Sequence, residues 1–359
     1  MNKAKNNFNK IKILIVGSGV IGKSNAFKLS NYGFDITIID QDEISNSSNA
    51  ALGILMGKIY QKRKGRSWLL RQKSLELWPK WINILQSYNT NLKIEKPLFQ
   101  LTNDLKKFQK LTLFADNNPH DDLETVEANS KILNPINKVF KGNKLQGIIS
   151  HQDGRINPKI LLQTLNLALK AKNIKTINNQ IIKIEKNNNK WNLKLKSGEI
   201  LESEIVILCN SLDSLKLINP EIYNIKLKPV LGQAIEIFHK EKDTNFLYLP
   251  KLLNINGKNL ITINKEKIII GSTDEYNLQP KEFYLNELIE FLDEKPNWLD
   301  KKYICKRWFG IRSRPDGEPS PLLKSLEKGL ILCSGFYKNG ILLAPACSDW
   351  VSEEIKKHI

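Results

Sequence analysis

Gly17-Ser18-Gly19-Val20-Ile21-Gly22 reads G-x-G-x-x-G, and Asp40 follows 23 residues after Gly17. Glycines at this spacing allow a tight turn, a close backbone approach to a pyrophosphate, and close packing of a helix on a strand. Gly17 is expected to make the turn. Gly19 opens the start of the helix, with Val20 and Ile21, to phosphate, and Gly22 packs the helix down. An acid at the place of Asp40 would accept hydrogen bonds from ribose hydroxyls. The remaining reactive side chains form no comparable pattern. Cys209, Cys305, Cys333 and Cys347 make no CxxC pair, and His120, His151, His239 and His358 are never four residues apart. Neither a metal site nor a disulfide framework is expected, and most of the cysteines read as small buried hydrophobes.

The elements that must position these residues are legible nearby. Residues 11–16 form a short apolar run rich in β-branched residues, read as a buried parallel strand. A helical pattern then runs to about Asn31, with Gly33 as its stop. Residues 35–40 read as a second strand ending in the acid. This is the full context that a dinucleotide fingerprint requires.

Three further segments favour FAD over NAD. "SSNAALGIL" at 47–55 lacks the continuation of an NAD domain. Its small residues Ser47, Ser48, Ala50, Ala51 and Gly53, with Ile54, would let backbone pass close to a long cofactor. "ESEIVILCNS" at 202–211 reads as a buried strand ending in a polar turn, where Asn210 tolerates positive φ. "GLILCSGFYKNGILLAPACSDWVSEEI" reads as a strand over 330–333, a glycine turn, and a helix from about Gly340. A helix start offers free N–H groups and a positive dipole end, suited to a flavin ring that gains negative charge on reduction. Both ends of the chain are thus expected to build one cofactor site.

Composition bounds the rest. The chain has 359 residues, 41% hydrophobic and 26% charged, with a net charge of +18. Most basic residues are Lys, spread among many Asn, which reads as a solvated surface and not as a nucleic-acid footprint. Where Arg persists, a planar fork is needed that Lys cannot supply. No apolar run reaches the roughly 18 residues of a membrane span. No secretory signal is visible, so a cytoplasmic location is expected.

The motifs "GSGVIG", "SSNAALG", "DGRINPKILLQTL", "LKPVLGQ", "YLPK", "IIIGST", "WFGIRSRPDGEP" and "GFYKNGILLAP" occur in this order. Together they resemble the D-amino-acid oxidase family of FAD enzymes, with the glycine oxidase branch, often tied to thiamine biosynthesis, nearest. Only residues 85–140 carry no clear match. The resemblance implies that an amine or small amino acid gives up its α-hydrogen as hydride to FAD. The imine is hydrolysed, and oxygen takes the electrons to give hydrogen peroxide. It implies that Arg312, in "WFGIR", grips the substrate carboxylate and that Tyr248, in "YLPK", is an active-site tyrosine. It places Gly335, Lys338, Asn339, Gly340, Ile341 and Leu342 against the flavin. Lys338 stands where glycine oxidases usually have Arg. The strand before Asn210 ends Leu208-Cys209-Asn210 in place of the family's A-x-G. Asp274 stands where glycine oxidases have an apolar residue near the substrate; it either selects a second amine or points away.

The expected fold class is α/β: a Rossmann-like FAD-binding domain with a second, mostly antiparallel-sheet substrate domain. The FAD-binding domain is expected from 1–80, 145–220 and 318–359, and the substrate domain from 81–144 and 221–317. Strands are expected in "VLGQAIEIF", "NFLYLP", "LITIN" and "KIIIGST", a helix over 281–293, and a β-meander before residue 209. A quinone-linked amino-acid dehydrogenase and a flavin-dependent tRNA-modification enzyme of the same fold are the competing functions. The sequence leaves the amine, the electron acceptor and the oligomeric state, a homo-oligomer among the options, unset.

Overall fold

The structure is a computed structural model that describes residues 11–41, 47–240 and 246–358. The first apolar run forms the strand Lys12–Val16 inside a six-stranded sheet. On one side it pairs in parallel with Asp35–Asp40, and on the other with Ile205–Leu208. Lys175–Asn178 extends one edge. Leu330–Ser334 and the antiparallel Leu322–Glu327 complete the other.

Period-two alternation divides the central strand between two cores. Ile13 and Ile15 face a cluster built with helices Val20–Leu29, Gly65–Leu85, Pro158–Ala171 and Gly340–His358. Leu14 and Val16 face the opposite cluster, with Trp191, Leu193 and Leu195 of a three-stranded antiparallel meander over residues 181–203. A strand covered on both faces must be apolar throughout, which is why "ILIV", "ITII" and "IVIL" carry no polar alternation.

A second sheet has eight strands. Its backbone is the long antiparallel pair Leu227–Phe238 and Ile304–Pro315, in which Gly232 faces Gly310 and Val230 faces Arg312. Lys267–Gly271, Lys258–Thr262 and Leu252–Ile255 follow by antiparallel pairing. Leu98–Thr102 joins in parallel, then Gln146–Ser150 and Leu123–Val126 antiparallel. Phe140, Phe246 and Trp298 fill the core beneath it.

Two expectations are corrected. Of "NFLYLP", the described part holds a 3-10 turn at Phe246–Tyr248 in place of a strand; Asn245 lies outside the described residues. The Phe246 ring is buried against Trp298, which turns the chain into the core instead of along the sheet. The helix expected over 281–293 is only Glu282–Asn286. Leu285, Leu288, Ile289 and Leu292 keep their buried stripe, but through successive tight turns. Glu290, Asp293 and Glu294 would place negative charge at the negative end of a continuing helix.

Among the described residues, no helix is long and apolar enough to cross a membrane. No group of His, Cys, Asp and Glu among them is placed to hold a metal ion.

Candidate active site

The three fingerprint glycines have three different reasons to lack a side chain. Gly17 sits at φ +104°, and a Cβ there would lie 2.8 Å from the Cys209 carbonyl. A Cβ on Gly22 would lie 1.8 Å from the Gly17 carbonyl oxygen, so this glycine serves packing. A Cβ on Gly19 would meet only Ser48 Oγ, at 3.0 Å. Gly19 is the N-cap of helix Val20–Leu29, with no side-chain cap and no acid in the first turn. The helix therefore opens its positive end to the space in front of it. Ser48 Oγ accepts from Val20 N–H at 3.0 Å, which fixes the 47–50 segment at this helix start. Asp40 closes the motif: one carboxylate oxygen accepts from Ser18 N–H at 2.6 Å and from the Ser18 hydroxyl at 2.5 Å.

In front of this turn lies a cleft of about 500 Å³, between the two sheets. Of the residues read from sequence, it is lined by Gly17, Gly19, Val20, Ile21, Asp40, Ser47, Ser48, Ala50, Ala51, Gly53, Ile54 and Asn210. Gly340, Ile341, Arg312 and Lys338 also line it. Gly53, at φ +82°, is needed because its Cβ would lie 1.9 Å from the Ile156 carbonyl oxygen. The 47–50 helix is pinned to the second sheet, with Trp308 Nε1 donating to the Ala50 carbonyl at 3.1 Å and Gly310 directly beneath Ala50. The helix Gly340–His358 starts beside the first helix, the nearest atom to a Gly340 Cβ being Val20 Cγ1 at 3.7 Å. No acid occupies its first turn either.

The structure does not bring every expected residue to the wall. Gly22, Gly335, Asn339 and Leu342 lie off the cleft lining. Gly335, at φ +66°, is wedged against Pro315, Leu322 and Leu227. Leu342 is core, and its carbonyl accepts from Trp78 Nε1 at 3.0 Å. Asn339 spends its backbone on the turn, donating to the Phe336 carbonyl and accepting from Leu343 N–H. Asn210 lines the cleft at φ −91°, and the left-handed residue is its neighbour Ser211, at φ +58°. The Asn210 side chain instead accepts from Ser214 Oγ at 2.8 Å, tying down the 3-10 turn that follows. Tyr248 is 61% exposed and off the cleft. The turn at Phe246–Tyr248 buries the phenylalanine and turns the tyrosine out.

At the end of the cleft formed by the second sheet, Arg312 is largely buried. Its Nη1 donates to the Thr273 carbonyl at 3.1 Å and to Asp274 Oδ1 at 3.0 Å, and its Nη2 donates to Ser272 Oγ at 2.6 Å. Nε–H and one Nη2–H are left for a ligand. The guanidinium lies over Gly232, where a Cβ would sit 1.8 Å from Nη2. Burial pulls the guanidinium below its ordinary pKa, and Asp274 opposes that shift. Asp274 also accepts from the Tyr337 hydroxyl at 3.1 Å and pairs with Lys338 Nζ. Burial first, and then the Asp274 carboxylate, push the Tyr337 hydroxyl up to about 12. Tyr337 itself stands at φ +53°, a conformation that costs a bulky residue on the order of 1–3 kcal/mol. Its N–H donation to the Ser313 carbonyl at 2.9 Å helps to hold it there. Sequence reasoning missed Tyr337 and Gly232 as site residues. The available signals were the aromatic inside "GFYKNG" and the glycine inside "VLGQ", a strand interior where a side chain would ordinarily pack.

Two helix starts with glycines at them and no acid in their first turns meet on one cleft, and with an acid at the end of the second strand they fit a long dinucleotide. The chain matches the FAD dependent oxidoreductase family, DAO, over residues 12–354. Glycine oxidase of Pseudomonas putida is 25% identical over 351 residues, which span 93% of this chain and 92% of that protein. Among solved structures, glycine oxidase from Geobacillus kaustophilus is similar with a TM-score of 0.83 at 18% identity, over 97% of this chain and 96% of that one. Iminodiacetate oxidase from Chelativorans sp. is similar with a TM-score of 0.81 at 15% identity, over the same shares of the two chains. The match over nearly the whole sequence, with the cleft geometry the motifs call for, places this chain in the DAO family of FAD dependent oxidoreductases, with FAD as its cofactor.

Proposed function

We propose that this protein oxidises a small amino acid or related amine bearing one carboxylate, glycine among them, with oxygen as electron acceptor. The observation that carries the reading is Arg312: a largely buried guanidinium on the cleft wall, with two N–H donors unspent. Paired donors of this kind hold a carboxylate bidentately and fix the position of the carbon beside it.

FAD, when bound, supplies the chemistry by taking the α-hydrogen and its electron pair from the amine carbon. The chain's own residues do the rest. With FAD bound, the helix start at Gly19, with the Gly19 and Ile21 N–H groups, would meet the pyrophosphate, and Asp40 would meet the adenine-side ribose. Residues 47–54 would run past the middle of the cofactor, and the helix start at Gly340 would face the flavin ring. Arg312 holds the carboxylate at the opposite wall. No histidine lines the cleft among the described residues, and a protein base is not required for hydride loss from a neutral amine. On this reading the six-stranded sheet carries nucleotide and the eight-stranded sheet carries substrate.

The test is anaerobic mixing of the yellow protein with a panel of amino acids and amines, followed by air. Bleaching by glycine or a similar small amino acid, then recolouring with one hydrogen peroxide per turnover, is expected. Bleaching only by amines without a carboxylate, or reoxidation by a quinone and not by oxygen, would overturn the reading.

A further inference from the structure

Asp274 is a built feature of the substrate end. It follows the strand Lys267–Gly271, and its neighbours are locked on both sides. Thr273 Oγ1 accepts from Gln233 N–H at 2.8 Å and donates to Glu275 at 2.6 Å. Glu275, fully buried, also accepts from Gln233 Nε2 at 2.8 Å and bridges back to Leu231. Asp274 is thus presented from a fixed corner. Its carboxylate gathers three donors: Arg312, Tyr337 and Lys338. Arg312, Tyr337 and Lys338 line the cleft; Asp274, its side chain 37% exposed, is not among the lining residues.

The donor inventory shows the effect. Arg312 keeps two N–H groups, enough for one carboxylate. The Tyr337 hydroxyl is spent on Asp274, and the Lys338 ammonium, which could receive a second anionic group, keeps N–H donors but has its charge paired with Asp274. The charges count the same way: Arg312 and Lys338 bring two positive units, and Asp274 cancels one. Buried Glu275 adds a further negative charge behind. Arg314 is not a spare cation for the cleft. It is hydrogen-bonded to the Tyr276 hydroxyl, lies 5.2 Å from the Tyr337 ring centroid, and is off the lining.

We propose that Asp274 is a specificity-determining residue that acts as a permanent internal carboxylate. It occupies the cations that the distal carboxylate of a dicarboxylic substrate would need. The site then takes monocarboxylate amines and rejects dicarboxylates of similar size. This rests on Arg312 being the carboxylate anchor.

The experiment titrates the FAD-loaded protein with two unreactive probes, acetate and malonate, and follows the flavin absorbance shift to obtain Kd. Wild type should bind malonate no better than acetate. Asp274→Asn keeps the shape but removes the charge, and should improve the malonate-to-acetate affinity ratio on the order of tenfold to a hundredfold. Asp274→Glu should retain the wild-type ratio. Asp274→Ser gives a second uncharged variant in case the amide does not retain flavin. Adding Lys338→Gln to Asp274→Asn should abolish most of the gain. An unchanged ratio in both uncharged variants would sink the assignment of Asp274 while leaving the anchor intact. Acetate binding that survives Arg312→Ala would sink the anchor reading and this inference together.

Discussion

The two ends of the cleft are built from different materials. The end under the six-stranded sheet is made of backbone: glycines at two helix starts, with N–H groups as donors. The end under the eight-stranded sheet is made of side chains: Arg312, Asp274, Tyr337 and Lys338, drawn from separate segments and joined by charge. Side-chain volume added at Gly17 or Gly22 would strike backbone that cannot swing aside, and at Gly19 it would enter the open cleft. A side-chain site can be displaced by degrees. The first should therefore fail all at once under substitution, and the second in steps.

The steepest test is Gly19→Val. The cleft in front of Gly19 is open apart from Ser48 Oγ, so a branched side chain fills the space needed by the pyrophosphate. We expect a colourless protein with wild-type circular dichroism; a normal flavin content would break the comparison at its root. Arg312→Ala should retain FAD but lose about 2–5 kcal/mol of binding, roughly 30- to several-thousand-fold in kcat/KM for glycine. Arg312→Lys should recover part of this, since an ammonium lacks the paired fork. Equal flavin reduction by glycine in all three proteins would show that Arg312 does not act on substrate.

Gly232→Ala should cost less than either Gly19→Val or Arg312→Ala. Its new methyl would meet the tip of the Arg312 side chain, 1.8 Å away, and not backbone. The guanidinium can shift, so the fold and FAD content should hold while kcat/KM falls about tenfold to a hundredfold. A smaller loss than twofold would mean that the anchor needs no fixed position.

A pH titration sharpens the side-chain half. Tyr337 and Tyr223 are both pushed up to about 12, burial being the first cause at each and a carboxylate neighbour the second. A raised pKa means that the folded state holds the proton longer than the unfolded chain. The associated stability is complete below pH 10 and is lost as pH rises towards 12. Ultraviolet titration of the native protein should show two late tyrosines, and Tyr337→Phe should remove one. Titration of all tyrosines together near 10 would contradict the Asp274–Tyr337 contact. The smallest effect belongs to Tyr248→Phe. The side chain is exposed and off the cleft, so kcat/KM should stay within twofold and stability within about 0.5 kcal/mol. A tenfold loss would return Tyr248 to the active site.

The same contrast explains what could be read in advance. Glycine spacing and β-branched runs are local signals, so the fingerprint turn, the strands beside it and the helix start at Gly340 were all legible. Which residues of the side-chain end meet is set by strand register: Val230 opposite Arg312 puts Gly232, two residues further along, under the guanidinium. No local pattern encodes that pairing. The sheet membership of "QGIIS" is equally silent in sequence, since a buried strand reads the same in either sheet; its pairing with Leu98–Thr102 puts it in the larger one. Asn210 and Ser211 show the limit of propensity. Asn favours the left-handed region, but here its side chain is bound to Ser214, and the next residue takes the turn. Tyr248 was carried by motif alone, and a buried phenylalanine two residues earlier decided its direction.

The helix Gly340–His358 has a consequence for how the protein is made. It packs on helix Val20–Leu29, and the sheet that both cover on one face draws neighbouring strands from residues 12–16, 205–208 and 330–334. A nascent chain thus carries its fingerprint turn from the outset but completes the cleft only after translation has passed Gly340. Loading of the flavin is therefore expected to wait until the chain has been made past Gly340. A chain released before Gly340 would keep the helix start at Gly19, lack the one at Gly340, and is expected to stay colourless.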